Sequence, residues 1–318
     1  MDAFLSAVSS ISVLVFMIVF VVSLRNLGVL KDEDGALFGK IVVTITLPAV
    51  EFYSLAHASK IDAEYLILVL IILSVEVFVL TAAWFIGKAL KLENRQLGSF
   101  MLVSAFSSSA MLGYAFAQQL FPENIAVMTE MVFTSELGVG IGIFTFGTMV
   151  AIYFGNKDSK NVTFSESLFT FLKSPLFMAL GAGILWSTFD LPTQTPFFKE
   201  FFDAVKLVGH ANTFFVTLTV GVALQFIGIK DVLLLAIFVV ILKLIVSPLL
   251  VFIPFQMMQM EVWQYQVIII ETAMPTAMLS VVLASKYGCD VKLASKLLFI
   301  TTIMSAISIP IILSFHSF

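Results

Sequence analysis

Apolar residues do not alternate along this chain. They come in unbroken runs of about 20, separated by short charged or Gly/Pro-rich breaks. Each run is long enough to cross a hydrocarbon core of about 30 Å as a helix. Ten spans are expected, roughly over residues 4–25, 36–56, 64–89, 97–121, 124–154, 168–189, 204–228, 231–258, 262–287 and 291–315. The first run resembles a secretory signal in position only: it lacks a basic leading segment and carries its positive charge, Arg25, after the run, so it reads as the first span.

The breaks give the spans a direction. Arg25, Lys31, Lys40, Lys88, Lys91, Arg95, Lys157, Lys160, Lys173, Lys230, Lys286, Lys292 and Lys296 all fall on one set of loops, whereas the opposite set holds Lys60, Lys199 and Lys206. Cytoplasmic loops retain Lys and Arg, so this 13 to 3 division puts the loops after odd-numbered spans in the cytoplasm and both termini outside. Five spans lie in residues 1–154 and five in 168–318, joined by a cytoplasmic stretch over 155–167. An odd number of spans in each half means that the halves, if related, are inverted repeats. An offset of 167 aligns Ser109-Ala110-Met111-Leu112 with Thr276-Ala277-Met278-Leu279 and also pairs Glu76 with Lys243, two mid-span charges expected to meet as an ion pair or to serve substrate or proton binding.

Composition narrows the class. Of 318 residues, 60% are apolar and 12% charged, and the mean hydropathy is +1.06, which marks an integral membrane protein with nothing left for a soluble domain. The formal net charge of -4 and the absence of basic blocks speak against nucleic acid, and a lone cysteine, Cys289, excludes an intrachain disulfide or a cysteine-ligated metal. His57, His210 and His316 are too scattered for a metal site. Gly138, Gly140, Gly142, Gly181 and Gly183 follow no strand and read as close helix packing, not as a phosphate loop.

Two spans carry features that a simple membrane helix lacks. Pro275 falls near the middle of the ninth, where a missing N–H and a bulky ring free carbonyls on the preceding turn. Its counterpart in the fourth is the run Ser107, Ser108, Ser109, followed by Gly113. Both spans are expected to break at one depth, leaving half-helices whose positive N-terminal ends face a common spot suited to an anion. Hydroxyls of Ser108, Ser109 and Thr276 add donors without adding charge. Glu271, one turn before Pro275, is a candidate proton or sodium carrier or a structural carboxyl. Thr134, Ser135 and Glu136 in the fifth span offer hard oxygen donors beside the fourth-span break, with bonding to their own backbone as the alternative. Glu130 is expected to reach water. Asn212 and Thr213 in the seventh span, opposite Thr44 and Thr46 in the second, either line the cavity or bond helix to helix.

The segment E-T-A-M-P-T-A-M-L-S-V-V-L-A-S-K-Y-G, 271 to 288, resembles the ninth helix of the auxin efflux carrier family. I-T-L-P-A-V-E-F-Y-S-L, 45 to 55, is similar to that family's second helix through Pro48 and Phe52, and Lys243 stands five residues before Pro248 as a basic residue does in plant members. The resemblance spans nearly the whole chain. It implies an all-α membrane fold of ten helices in a five-plus-five inverted repeat, of the type shared with bile acid sodium symporters and sodium/proton antiporters. It further implies crossed, broken helices 4 and 9, a scaffold of helices 1, 2, 6 and 7, a transport core of helices 3, 4, 5, 8, 9 and 10, elevator-type motion and a homodimer through the scaffold. Family members commonly carry Asn, often after Pro, at the fourth-helix crossover, where this chain has Ser107 and Ser108. If Ser107 takes the proline position, it pairs with Pro275 at an offset of 168.

The expected function is secondary transport of a small organic anion, a mono- or dicarboxylate such as malate or an auxin-like acid, with Ser107, Ser108, Ser109, Pro275, Thr276, Asn212 and Thr46 at the substrate and Glu271, Glu76, Lys243, Thr134, Ser135 and Glu136 available for coupling. No cofactor is expected beyond a proton or sodium ion as coupling ion. The alternatives are a sodium- or proton-coupled carrier of another substrate class, a channel and a non-transporting membrane sensor. No metalloprotease motif, acidic diphosphate-binding motif or nucleophile–base pair supports an enzyme.

Overall fold

The computed structural model describes residues 2–58, 63–155, 164–224, 230–252, 254 and 261–314. Residues 156–163 of the expected cytoplasmic connection, with Lys157 and Lys160, lie outside the described residues, as do Lys60 and His316. Among the described residues, seven helices are long and apolar enough to cross a membrane: α1 (Asp2–Asn26), α2 (Asp34–Ala56), α3 (Ala63–Ala89), α6 (Ile125–Phe154), α9 (Pro196–Ala223), α10 (Leu233–Leu250) and α13 (Val291–Ser314). The other three expected spans are each divided. The fourth is α4 (Asn94–Ala105) followed by α5 (109–120), and the ninth is α11 (Val262–Ala273) followed by α12 (Met278–Tyr287). The sixth is α7 (Phe164–Leu172) followed by α8 (Pro175–Thr188), where Ser174 caps the new helix by accepting from the Phe177 N–H and Pro175 occupies the first turn, in which its missing N–H costs nothing.

Boundaries follow local chemistry. Asn124 accepts from the Val127 N–H to start α6, Glu261 and Gln264 close a capping box on α11, and Gly288 ends α12 in the left-handed conformation at φ 79°. The seventh span starts earlier than its apolar run, at Pro196 after Thr195. Its first turns are amphipathic, so hydropathy alone misses them. Widened, π-helical turns at Val42–Thr46 and Ile241–Val246 immediately precede Pro48 and Pro248, where an absent N–H interrupts the regular ladder.

Packing divides into two regions. α8 lies along the second half of α2, while α9 contacts α2 and α1. The remaining helices cluster round α4, α6, α11 and α13, and the two groups are joined where α1 meets α13 and α5 and where the second half of α2 meets α6. Gly183 lets α8 approach α2 closely: a Cβ there would stand 2.6 Å from the Leu55 Cβ. Gly181, by contrast, faces open space within 4 Å, so the expectation of close packing fails at that glycine. Large apolar side chains such as Phe16, Phe20, Phe85, Met178, Leu207 and Ile307 remain exposed. So broad an apolar surface suits lipid and not water.

Candidate functional site

The ends of α4 and α11 meet the starts of α5 and α12 at one crossing. Met274 is extended (φ -58°, ψ 148°), as a residue before proline must be, and Phe106 is extended likewise (φ -93°, ψ 133°). The two extended pieces run antiparallel and pair at Ser107 and Thr276. Ser108 N–H donates to the Pro275 carbonyl at 2.7 Å, and Ala277 N–H to the Phe106 carbonyl at 2.9 Å. Each break thereby satisfies polar backbone of the other, which is what permits non-helical chain inside an apolar protein.

The four helix ends are treated unequally. At the carbonyl ends, Thr276 Oγ1 donates to Val103 O (2.6 Å) and Ser280 Oγ to Leu102 O (3.0 Å), closing α4. Lys243 Nζ, fully buried, donates to Thr272 O at 3.0 Å on α11 and to Ser107 Oγ at 2.5 Å. At the amide ends there is no such closure: neither Ser108 before α5 nor Ala277 before α12 supplies a side-chain cap. Both N-termini line a cavity of about 340 Å³, through Ser108 to Met111 and Ala277 to Leu279. Ser107, Ser135, Glu136 and Ser174 complete its polar lining, and Ser109 and Ser135 share a 2.6 Å hydrogen bond. Val43, Leu47, Val139, Ile143, Phe144, Phe171, Leu176 and Val282 make the rest apolar, and among the described residues the lining contains no Lys, Arg or His.

A second cavity of about 260 Å³ lies toward the far end of α2, where Tyr53, Ser54, Gln118, Glu123, Lys206, His210 and Thr213 line it. Lys206 bonds Glu123, whose carboxyl is held below its ordinary value chiefly by that hydrogen bond, and His210 lies 3.7 Å from the same carboxylate.

Of the residues expected at the substrate, Ser107, Ser108 and Ser109 converge on the first cavity, as do Ser135 and Glu136 from the coupling set. Pro275 and Thr276 build the crossing but stand behind that cavity. Thr46 and Asn212 do not line it: both are buried, with Thr46 Oγ1 donating to Asn212 Oδ1 at 2.9 Å, the helix-to-helix alternative. Thr213 instead donates to Gln118 at 3.0 Å beside the second cavity. Thr134 turns back on Glu130 O at 2.7 Å. Glu271 is buried next to Ser109.

Three expectations need correction. Glu76 and Lys243 make no ion pair within 4 Å: the lysine reaches the crossing, while Glu76 packs on Gly142, where a Cβ would sit 2.9 Å from the carboxyl carbon. Glu130 is fully buried and does not reach water, because the face of α6 that carries it packs on α2 and α11. The two interruptions do not fall at the expected spacing of 167, since the half-helices end at Ala105 and Ala273 and restart at Ser109 and Met278, spacings of 168 and 169. One residue was missed altogether. Glu51, in the second half of α2 three residues after Pro48, is fully buried with its carboxyl against that of Glu136. An acidic residue within a membrane span was the signal for it.

The model of the membrane transport protein family, that of the auxin efflux carriers, matches residues 6–313. The chain belongs to this family. It is 27% identical over 288 residues to an uncharacterized transporter of Methanocaldococcus jannaschii, covering 89% of this chain and 90% of that protein. An uncharacterized transporter of Methanothermobacter thermautotrophicus is 26% identical over 299 residues, covering 91% of each. Family membership and the apolar helices together make this a multi-pass membrane transport protein.

Proposed function

We propose that the protein is a secondary carrier of a small organic anion, bound with its carboxylate at the amide ends of α5 and α12. The observation that carries this reading is the unequal capping at the crossing. Protein groups close the carbonyl ends, and both amide ends open uncapped onto one cavity. Backbone N–H groups and helix dipoles attract negative charge without a fixed cation, so an anion is held and can still be released. The apolar remainder of the lining favours a monocarboxylate with an apolar body over a dicarboxylate, whose second charge would find no partner there.

In this reading the chain forms ten crossing segments in two inverted halves, with both termini outside. The expected direction of the Lys and Arg loops and the two interruptions spaced by 168 and 169 residues support it. Alternation comes from movement of the crossing and its neighbours against α1, α2, α8 and α9, a division that parallels the packing. The test is counterflow in proteoliposomes with a panel of mono- and dicarboxylates. Saturable exchange confined to monocarboxylates supports the reading. Non-saturating flux would indicate a channel, and no flux a sensor.

A further inference from the structure

The crossing accounts for the anion but leaves Glu51 without a purpose. Its carboxyl is fully buried and lies against that of Glu136. No hydrogen-bond donor reaches either Glu51 oxygen among the described residues. The Tyr114 hydroxyl, itself fully buried, is aimed at the same spot from α5, within reach of Glu136 and Ser135, and makes no close hydrogen bond of its own. Other ionisable groups near the pair are Glu271 on α11 and Glu130 on α6. Lys243 on α10 is turned to Ser107 and Thr272, and Glu76 on α3 packs against Gly142. From α8 and α9, which pack on α2, no ionisable side chain acts on either carboxyl among the described residues.

Two carboxyl groups in contact, with no cation to offset them, can approach only if a proton lies between them. Position gives this contact a use. Leu47, one turn before Glu51, lines the cavity at the crossing, and Ser54, about one turn after it, lines the second cavity. Glu136 itself lines the first. The pair therefore stands in the partition between two cavities and joins α2 to α6 across the boundary of the two packing regions.

We infer that Glu51 and Glu136 form a proton-binding site between the two cavities, whose occupancy is linked to that of the anion at the crossing. The link rests on the anion-carrier reading and runs through Ser109 and Ser135. Their 2.6 Å bond ties the amide end of α5 to the residue preceding Glu136, so an anion at that end lies close to the pair. A pair sharing one proton carries one negative charge and repels the anion. A second proton neutralises it. Anion and proton therefore bind together, one for one, and no covalent bond changes.

Infrared difference spectroscopy on the purified, lipid-reconstituted protein tests the site without any substrate. The protonated-carboxyl band should titrate with pH and be reduced in both Glu51→Gln and Glu136→Gln. Survival of the whole band in both variants overturns the site, and so does loss of the band on adding sodium at constant pH, which would make it a sodium site. Phenylacetate then serves as the anionic probe, over a pH range in which it stays ionised. Its binding to wild type should tighten about tenfold per unit fall in pH, the signature of one linked proton, and Glu136→Gln should flatten that slope. A flat slope in wild type with the band present overturns the link. Failure of any monocarboxylate to bind at any pH counts instead against the anion reading of the cavity, and the band still decides the proton site.

Discussion

Lys243 offers the sharpest perturbation of the crossing. Its amine holds two otherwise separate pieces, the carbonyl end of α11 through Thr272 O at 3.0 Å and the fourth-span break through Ser107 Oγ at 2.5 Å. In Lys243→Met the aliphatic stem and its packing are kept while both hydrogen bonds go. Each is worth about 1–1.5 kcal/mol net, and the buried Thr272 carbonyl, left without this donor, adds a penalty of about 1–3 kcal/mol. The expected loss is about 3–6 kcal/mol. Ser107→Ala removes one acceptor and leaves the Thr272 bond in place, so it should cost about 1–1.5 kcal/mol. The two side chains touch, so the substitutions should not add: the double variant should be about 1 kcal/mol more stable than the sum of the singles predicts. Denaturant unfolding in detergent, followed by tryptophan fluorescence, measures all four proteins. A Lys243→Met variant within about 1 kcal/mol of wild type, or strict additivity with Ser107→Ala, would refute the view that this amine clasps the crossing.

Gly142→Ala should destabilise by about 1–3 kcal/mol, because its methyl group would overlap the Glu76 carboxylate, and Glu76→Ala should relieve most of that cost in a thermal melt. Gly183→Ala should cost a similar amount by forcing α8 from Leu55, whereas Gly181→Ala, facing open space, should be neutral or slightly stabilising. Thr276→Val keeps the shape but strips the donor from Val103 O, and unfolding should show a loss of about 1–2 kcal/mol. The Glu123 carboxyl is depressed below 4.5 in the fold by Lys206, so its stabilisation is present above the unfolded value and fades as pH falls through the folded one. Glu123→Gln should therefore lower the melting temperature slightly at neutral pH and not in strong acid, with the effect below about 0.5 kcal/mol because the pair is exposed.

Much of the architecture was readable because membrane burial writes itself as composition. Long apolar runs locate spans, and Pro275 announces the ninth-span break through a single missing donor. The fourth-span break is less legible. No proline marks it, and the chain leaves the helix at Phe106 with the support of partners distant in sequence: Pro275 O accepts from the Ser108 N–H and Phe106 O from the Ala277 N–H. Contacts set by helix rotation were the hardest. Glu76 and Lys243 look paired along the sequence, but Lys243 turns to Ser107 and Thr272 while Glu76 turns to Gly142. Glu130 and Glu51 have the same local signature, a carboxylate among apolar residues. Only the packing of α2 on α6 shows that both are enclosed and that Glu51 meets Glu136.

The most direct test of the anion site is Ser108→Asp, measured by melting temperature with and without a saturating monocarboxylate. Ser108 is the residue preceding α5, and a carboxylate there can accept from the uncapped amides that substrate would use. The substitution should stabilise the unliganded protein by about 1 kcal/mol and abolish the ligand-induced shift. A variant that still shows the wild-type shift would contradict the account, because the anion would then be bound somewhere other than these amide ends.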